Sequence, residues 1–422
     1  MYKSGDEMAL TSIFLSSLRL IKEFRREVSK SINMISSGQV HVYTEIVFPK
    51  HNNMRIDGLV LVVKGGKVRD AALLEMKNKS NELDNKQICE YLAIARDYRI
   101  PKLITVSNQF VSTSTQSPLH IRIPRGVSMY HLSWSYILTI ARLLLYDNSM
   151  NISDPDQVEI MKEVVHYLEQ PESGVCGFTS MKPGWKEVVQ KMNTGAHLRV
   201  DDMEVTDAVT SWLQEERDMT LILSRRLGLL VRSGEKKYKT DLVARTKAEM
   251  KRLISDKCLE SSLFVDGAVS IIRVRANLDR RNIVMSIVLE PPKDRKTKGQ
   301  ISWIKYQLKR CRDKNPNVYE DIEHELRVGI GIKYSSKQER VTIPELDTIP
   351  NLLIGREIKE FAIIQVKDLG RTFSSRRGFV QTIEAMLLDF YQGVVQHLKR
   401  WEKPAPKMPP RNADPDSDSD SN

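Results

Sequence analysis

Apolar residues first recur at helical spacing. Met8, Ile13, Phe14, Leu18, Ile21 and Ile32 run through residues 6–35 with charges between them, which predicts an amphipathic helix. Ser4 to Glu7 resembles a capping box at its start. The pattern then turns to strands. HVYTEIVF (41–48) is rich in β-branched and aromatic residues, and IDGLVLVV (56–63) and DAALLEMK (70–77) follow. Gly65-Gly66 between the last two is a hairpin signal. DNKQICEYLAIARDY (84–98) predicts a helix with Ile88, Leu92 and Ala95 on one face. KLITVSN (102–108) and GVSMYHLSW (126–134) predict two more strands, and SYILTIARLLLYD a closing helix. The result is an α/β unit over residues 1–147: a mixed sheet flanked by helices. The polar, turn-rich stretch 148–157 ends it.

Residues 158–260 read as a mainly helical domain, with helices in QVEIMKEVVHYLEQ and TDAVTSWLQEERDMTLILSRRLGLL. The basic turn that follows, VRSGEKKYKTDL, fits a solvated connector better than a winged-helix wing, because no recognition helix is identifiable. Residues 261–401 mix strands (AVSIIRVRAN, NIVMSIVLE, LRVGIGIKYS, FAIIQVKDL) with a helix at ISWIKYQLKR and a long helix over 378–401. They form a second α/β domain. Residues 402–422 are Pro-rich and then acidic, a composition that predicts disorder.

Length and charge narrow the class. A chain of 422 residues suits two or three domains, and its formal net charge of +11 favours a polyanionic partner. Residues 1–150 hold 20 Lys and Arg against 13 Asp and Glu, so +7 of that excess lies in the first unit. The cysteines, Cys89, Cys176, Cys258 and Cys311, form no CxxC pair. A zinc site and a disulfide scaffold are not expected, and a reduced cytoplasmic compartment is. No apolar run reaches membrane-spanning length, the N-terminus does not read as a signal peptide, and no GxxxxGK[ST] marks a P-loop.

Asp57 begins one strand of the hairpin, and Glu75 and Lys77 end the next. Side chains alternate along a strand, so Glu75 and Lys77 share a face. A charged pair on a buried strand is costly without a purpose or partner. A two-residue turn at Gly65-Gly66 would set Asp57 opposite Leu74. One extra residue, as in a three-residue turn ending in a bulge, sets it opposite Glu75, and this odd register is expected. Two close carboxylates repel unless a cation joins them. Mg2+ suits them, with Mn2+ as a substitute, and the Met76 carbonyl offers a further oxygen. Such a metal polarises a phosphate and activates water. Lys77 then orients the nucleophile and neutralises developing charge.

Asp57, the hairpin and Glu75-Met76-Lys77 resemble the PD-(D/E)XK nuclease superfamily, the fold of many restriction enzymes and recombination nucleases. Ile56 stands where that pattern has Pro. Gln87 and Tyr91 resemble the QxxxY element of RecB-like members. Glu7, in SGDEMALTSIF, lies where many members carry an additional acid, and Glu45 on the preceding strand competes for that place. The resemblance covers residues 1–145. It implies a restriction-endonuclease-like sheet and Mg2+-dependent hydrolysis of DNA, in microbial or antiviral defence, restriction or repair. Each residue also has a plainer reading. Gln87 faces solvent, Tyr91 packs, Glu7 caps its helix, and Arg55 and Lys79 are solvated rather than on phosphate. His131 and Trp134 read as core and strand-edge residues.

From Lys293 to Lys314 nine Lys and Arg stand against two Asp, with Trp303 and Tyr306 among them. Lys296, Lys298 and Lys305 are the expected nucleic-acid contacts there; a solvated helix face with Trp303 turned inward is the alternative. The C-terminal domains are expected to position substrate or a protein partner, and a homo-oligomer is compatible with the sequence. A non-catalytic nucleic-acid-binding or scaffold subunit on the same fold is the competing function.

Overall fold

The computed structural model describes residues 5–402 except 80, 110, 112–113, 116, 120, 147–151, 234–241, 336–337 and 354–355. Most of the basic turn after residue 232, the acidic tail and Ser4 therefore lie outside the described residues. The chain is mixed α/β, with a five-stranded sheet flanked by helices, then a helical stretch and a seven-stranded sheet.

The first unit contains α1 (Glu7–Leu20), α2 (Lys22–Ser31), β1 (Gln39–Phe48), β2 (Met54–Lys64), β3 (Lys67–Met76), α3 (Asn85–Asp97), β4 (Lys102–Ser107), β5 (Ser128–Ser133) and α4 (Trp134–Tyr146). Its strands lie in chain order, with β1, β2 and β3 antiparallel and β3, β4 and β5 parallel. The one helix expected over 6–35 is two. Ile21 between them is extended (φ −105°, ψ 106°) and fully buried. The break lets Phe14 and Phe24 meet edge-on with ring centroids 6.2 Å apart. A straight helix would separate residues ten apart by about 15 Å along its axis. The N-cap of α1 is Asp6, whose side chain accepts from the Met8 N–H.

Both faces of the sheet are covered. Leu74, Met76 and Val60 pack with Phe14, Phe24 and Trp134 from α1, α2 and α4. Leu73 and Ile56 pack with Ile88, Tyr91 and Leu92 of α3 on the other side. The next helix, α5 (Pro155–Glu169), adds Met161, Val165 and Leu168 to the first of these clusters. It thus completes the N-terminal core, although its sequence falls after the polar stretch.

The rest comprises α6 (Gly184–Thr194), α7 (Met203–Leu227), β6 (Arg232–Ser233), α8 (Leu242–Asp256), β7 (Cys258–Phe264), β8 (Ile272–Asn277), β9 (Asn282–Leu289), α9 (Thr297–Lys314), α10 (Pro316–Glu323), β10 (Leu326–Ile332), β11 (Gln338–Val341), α11 (Ile349–Leu352), β12 (Ile358–Asp368) and α12 (Arg376–Gly393). The second sheet runs β11-β10-β12-β9-β8-β7-β6. One hydrophobic cluster joins Trp185 and Trp212 of the helical stretch to Ile287, Phe361 and Phe390, so helices and sheet share a core. β6 pairs with β7 at the sheet edge, which ties the entry to the basic turn to this sheet. The helix expected to reach Trp401 stops at Gly393, where Val394 leaves helical geometry (φ −128°, ψ −67°). The two units meet along α4 and α7. Arg225 donates to Ser135 Oγ at 2.8 Å and Thr139 Oγ1 at 3.0 Å, and the Arg217 guanidinium lies 5.0 Å from the centre of the Tyr136 ring.

A candidate metal and phosphodiester site on the first sheet

The hairpin delivers the odd register by a different device. Its turn is the two-residue form, with Lys64 opposite Lys67 and both glycines left-handed (φ 61° and 70°), as a type I′ turn requires. Val63 pairs with Val68, but Val62 pairs with Asp70. Arg69 is the extra residue, a β-bulge inside the strand rather than in the loop. From there Gly58 pairs with Leu74, which carries Asp57 opposite Glu75.

Glu75 is 1% exposed. Lys77 Nζ meets its Oε1 at 2.7 Å. Burial, followed by the charge of Asp57, pushes Glu75 up to about 7. Asp57 is likewise raised, chiefly by burial, although the Met76 N–H donates to its Oδ2 at 2.8 Å and Lys77 lies near. Burial alone would lower Lys77, but Glu75, with Glu7 and Asp57 beyond, raises it instead. The site therefore holds two desolvated acids and one ammonium. A cation beside the acids would relieve their repulsion.

Gln87 and Tyr91 come to the same place on α3. Gln87 Nε2 donates to the Tyr91 hydroxyl at 2.7 Å, and that hydroxyl donates to the Arg55 carbonyl at 3.0 Å. Burial raises the Tyr91 phenol, with the Glu75 charge next. Glu7 reaches the loop after Lys77: Oε1 accepts from the Asn78 N–H at 3.0 Å and Asn81 Nδ2 at 2.7 Å, and Oε2 lies 4.0 Å from Lys77 Nζ. Glu45 falls between the pairs Thr44–Gly58 and Ile46–Ile56, hence across from Asp57, with a left-handed backbone (φ 56°). Its carboxylate is held by Arg55 Nε at 2.7 Å. Among the described residues no group of three or more His, Cys, Asp or Glu is arranged to hold a metal ion. Neither Glu7 nor Glu45 is thus brought in as a third carboxylate ligand. Met76 contributes its N–H to Asp57. Lys79 is exposed on the loop.

Some neighbours carried no clear sequence signal. Trp134 Nε1 donates to the Lys77 carbonyl at 2.9 Å, so a core residue also fixes the backbone of the site. Asn78 Nδ2 donates to the Gly5 and Ser173 carbonyls at 3.0 and 2.7 Å. Asn108 Nδ2 donates to the Gly174 carbonyl at 2.8 Å. The polar run Asn78 to Asn81 directly after Lys77 was the available hint. Thr105 stands beside Glu75 on β4 and bonds His131 Nδ1 at 2.9 Å. Burial holds His131 down to about 4, which keeps it neutral in the core. Replacing Trp134 with phenylalanine would orphan the Lys77 carbonyl. It is expected to cost about 1–3 kcal/mol in denaturant unfolding, and a loss below about 0.5 kcal/mol would contradict that role.

The expected contacts of the second unit lie elsewhere. Lys296 and Lys298 are exposed at the start of α9, and Lys305 pairs with Asp347 at 2.9 Å. These residues belong to the second sheet's layer, not to the carboxylate pair. Trp303 is 7% exposed and faces Phe361, while Tyr306 is 63% exposed. No family model, curated protein or solved structure matches the chain.

Proposed function

We propose that this chain is a metal-dependent nuclease that hydrolyses phosphodiester bonds of DNA. The observation that carries the reading is the Glu75 carboxylate, sealed from solvent, paired with the Lys77 ammonium at 2.7 Å and set beside a second desolvated acid, Asp57. One ammonium does not balance two buried carboxylates, which a cation would. Two carboxylates suit Mg2+, which keeps several waters and needs few protein ligands. Asp57 and Glu75 would hold it, and it would supply Lewis-acid activation of the phosphate and of water. Lys77 places an ammonium beside the reacting phosphate, where it orients the water and offsets charge on the phosphoryl oxygens. Tyr91, buttressed by Gln87, holds the β2 backbone at Arg55 and covers Glu75. Trp134 and Asn78 fix the loop that carries Lys77.

The basic balance of the first unit supports an anionic substrate. The resemblance to the PD-(D/E)XK superfamily supports DNA, and a role in defence, restriction or repair rests on that resemblance alone. Among the described residues no helix is long and apolar enough to cross a membrane. The test is cleavage of plasmid and single-stranded DNA with Mg2+ or Mn2+. Wild type should cut and lose activity in EDTA. Binding without metal-dependent cleavage would instead favour the non-catalytic reading.

A further inference from the structure

The second unit carries a groove of about 590 Å³, within the range of sites that take a small organic group. Trp303 and Trp401 line it, with Lys293 and Arg400, and with Glu290 and Glu360. Trp303 is held against Phe361 at 6.4 Å between ring centroids. Trp401 is only partly buried and packs on the same core. Arg400 is anchored at the wall, its Nε donating to the Val269 carbonyl at 3.1 Å. Glu290 lies 3.7 Å from Lys293 in a solvated pair that a phosphate can displace, and Glu360 lies 3.9 Å from Lys359. Beyond Lys293 the chain continues through Arg295, Lys296 and Lys298, all exposed. Asp294 is the single acid among them.

A part-exposed indole beside an apolar floor suits a flat ring, and the basic rim suits phosphate. Unpaired bases present such rings, whereas a duplex keeps its bases stacked inside. We propose that this groove binds a single-stranded nucleic-acid segment, with one base on Trp401 and the backbone along Lys293, Arg400 and the 295–298 rim. The site is separate from Asp57, Glu75 and Lys77 and stands whether or not they cut. If they do, the groove gives the substrate strand a second hold on the protein.

The probe is an end-labelled ~20-nucleotide oligo(dT), long enough for one such site, added to the full chain in EDTA so that cleavage plays no part, with the anisotropy of the label reading affinity in every variant. Trp134, Trp185 and Trp212 are 0–1% exposed and Trp303 7%, so stacking should quench the emission of Trp401. We expect quenching, and tenfold or greater weakening in Trp401→Ala, since one base–aromatic stack is worth about 1–3 kcal/mol. Trp401→Phe, which keeps a ring, should recover most of the affinity and so separates stacking from a folding defect. Lys293→Glu with Arg400→Glu should weaken binding further and flatten its salt dependence. Equal binding by wild type and a folded Trp401→Ala protein would overturn the proposal. So would equal affinity for thymidine monophosphate, which would make this a nucleotide site, or for a duplex of the same length.

Discussion

Replacing Lys77 with alanine is expected to lower metal-dependent DNA cleavage by about 10²–10³-fold at saturating metal, the usual cost of removing one preorganised group at a developing oxyanion. The fold should survive, because Lys77 follows the last residue of β3 and its ammonium contacts the carboxylates of Glu7 and Glu75 and no apolar cluster. The loss should lie in the rate and not in metal binding. Without the ammonium, Glu75 loses the neighbour that lowers it, but the cation also loses a like charge beside it, so metal affinity should hold or rise. Single-turnover rates across a metal titration separate these effects. A rate within about twofold of wild type at saturating metal would remove Lys77 from the chemistry, since general acid–base and electrostatic contributions are far larger.

Glu75→Gln should abolish tight metal binding and cleavage together, yet stabilise the metal-free protein at alkaline pH. Glu75 rises from its ordinary value of 4.5 to about 7 in the fold. The folded state therefore holds this proton more tightly than the unfolded chain does. That contribution is fully present below about 4.5 and is lost as pH rises through about 7. Glutamine carries no such charge. In EDTA the variant should melt about 2–4 °C above wild type at pH 8 and show little advantage at pH 4.5. Metal uptake by wild type should strengthen from pH 6 to pH 8 and release a proton, because the cation needs the carboxylate ionised. Calorimetry in buffers of different ionisation enthalpy reads that proton directly. Equal melting of the two proteins across this range would mean that Glu75 is not desolvated as described.

Much of the first sheet was legible because period-two apolar runs and the Gly65-Gly66 turn specify strands locally. The facing of Asp57 and Glu75 was legible too, since only an odd count of residues aligns them. Its source was not: a bulge at Arg69 depends on strand twist and packing, and one exposed arginine does not announce it. The break at Ile21 was hidden for a similar reason. Ile21 fits a helical period, and only the pairing of Phe14 with Phe24 favours an extended residue there. Gln87 and Tyr91 came from the resemblance to the QxxxY element, and their i, i+4 places on α3 let the two side chains bond. Trp134 and Asn78 did not, because their bonds reach backbone carbonyls far along the chain. β7 escaped notice because its polar Glu260, Ser261 and Ser262 interrupt the apolar pattern, and α12 ends at Gly393 without a proline to mark it. Glu7 and Glu45 remained equal in the sequence. The fold gives Glu7 to Asn78 and Asn81 and Glu45 to Arg55, so the pair Asp57 and Glu75 stands at the centre.

That pair is tested most directly by anomalous diffraction from crystals of the full chain soaked in Mn2+. The account predicts one peak between the carboxylates of Asp57 and Glu75, absent from crystals of Glu75→Gln. Mn2+ bound elsewhere, or no peak at this pair under conditions that support cleavage, would contradict it.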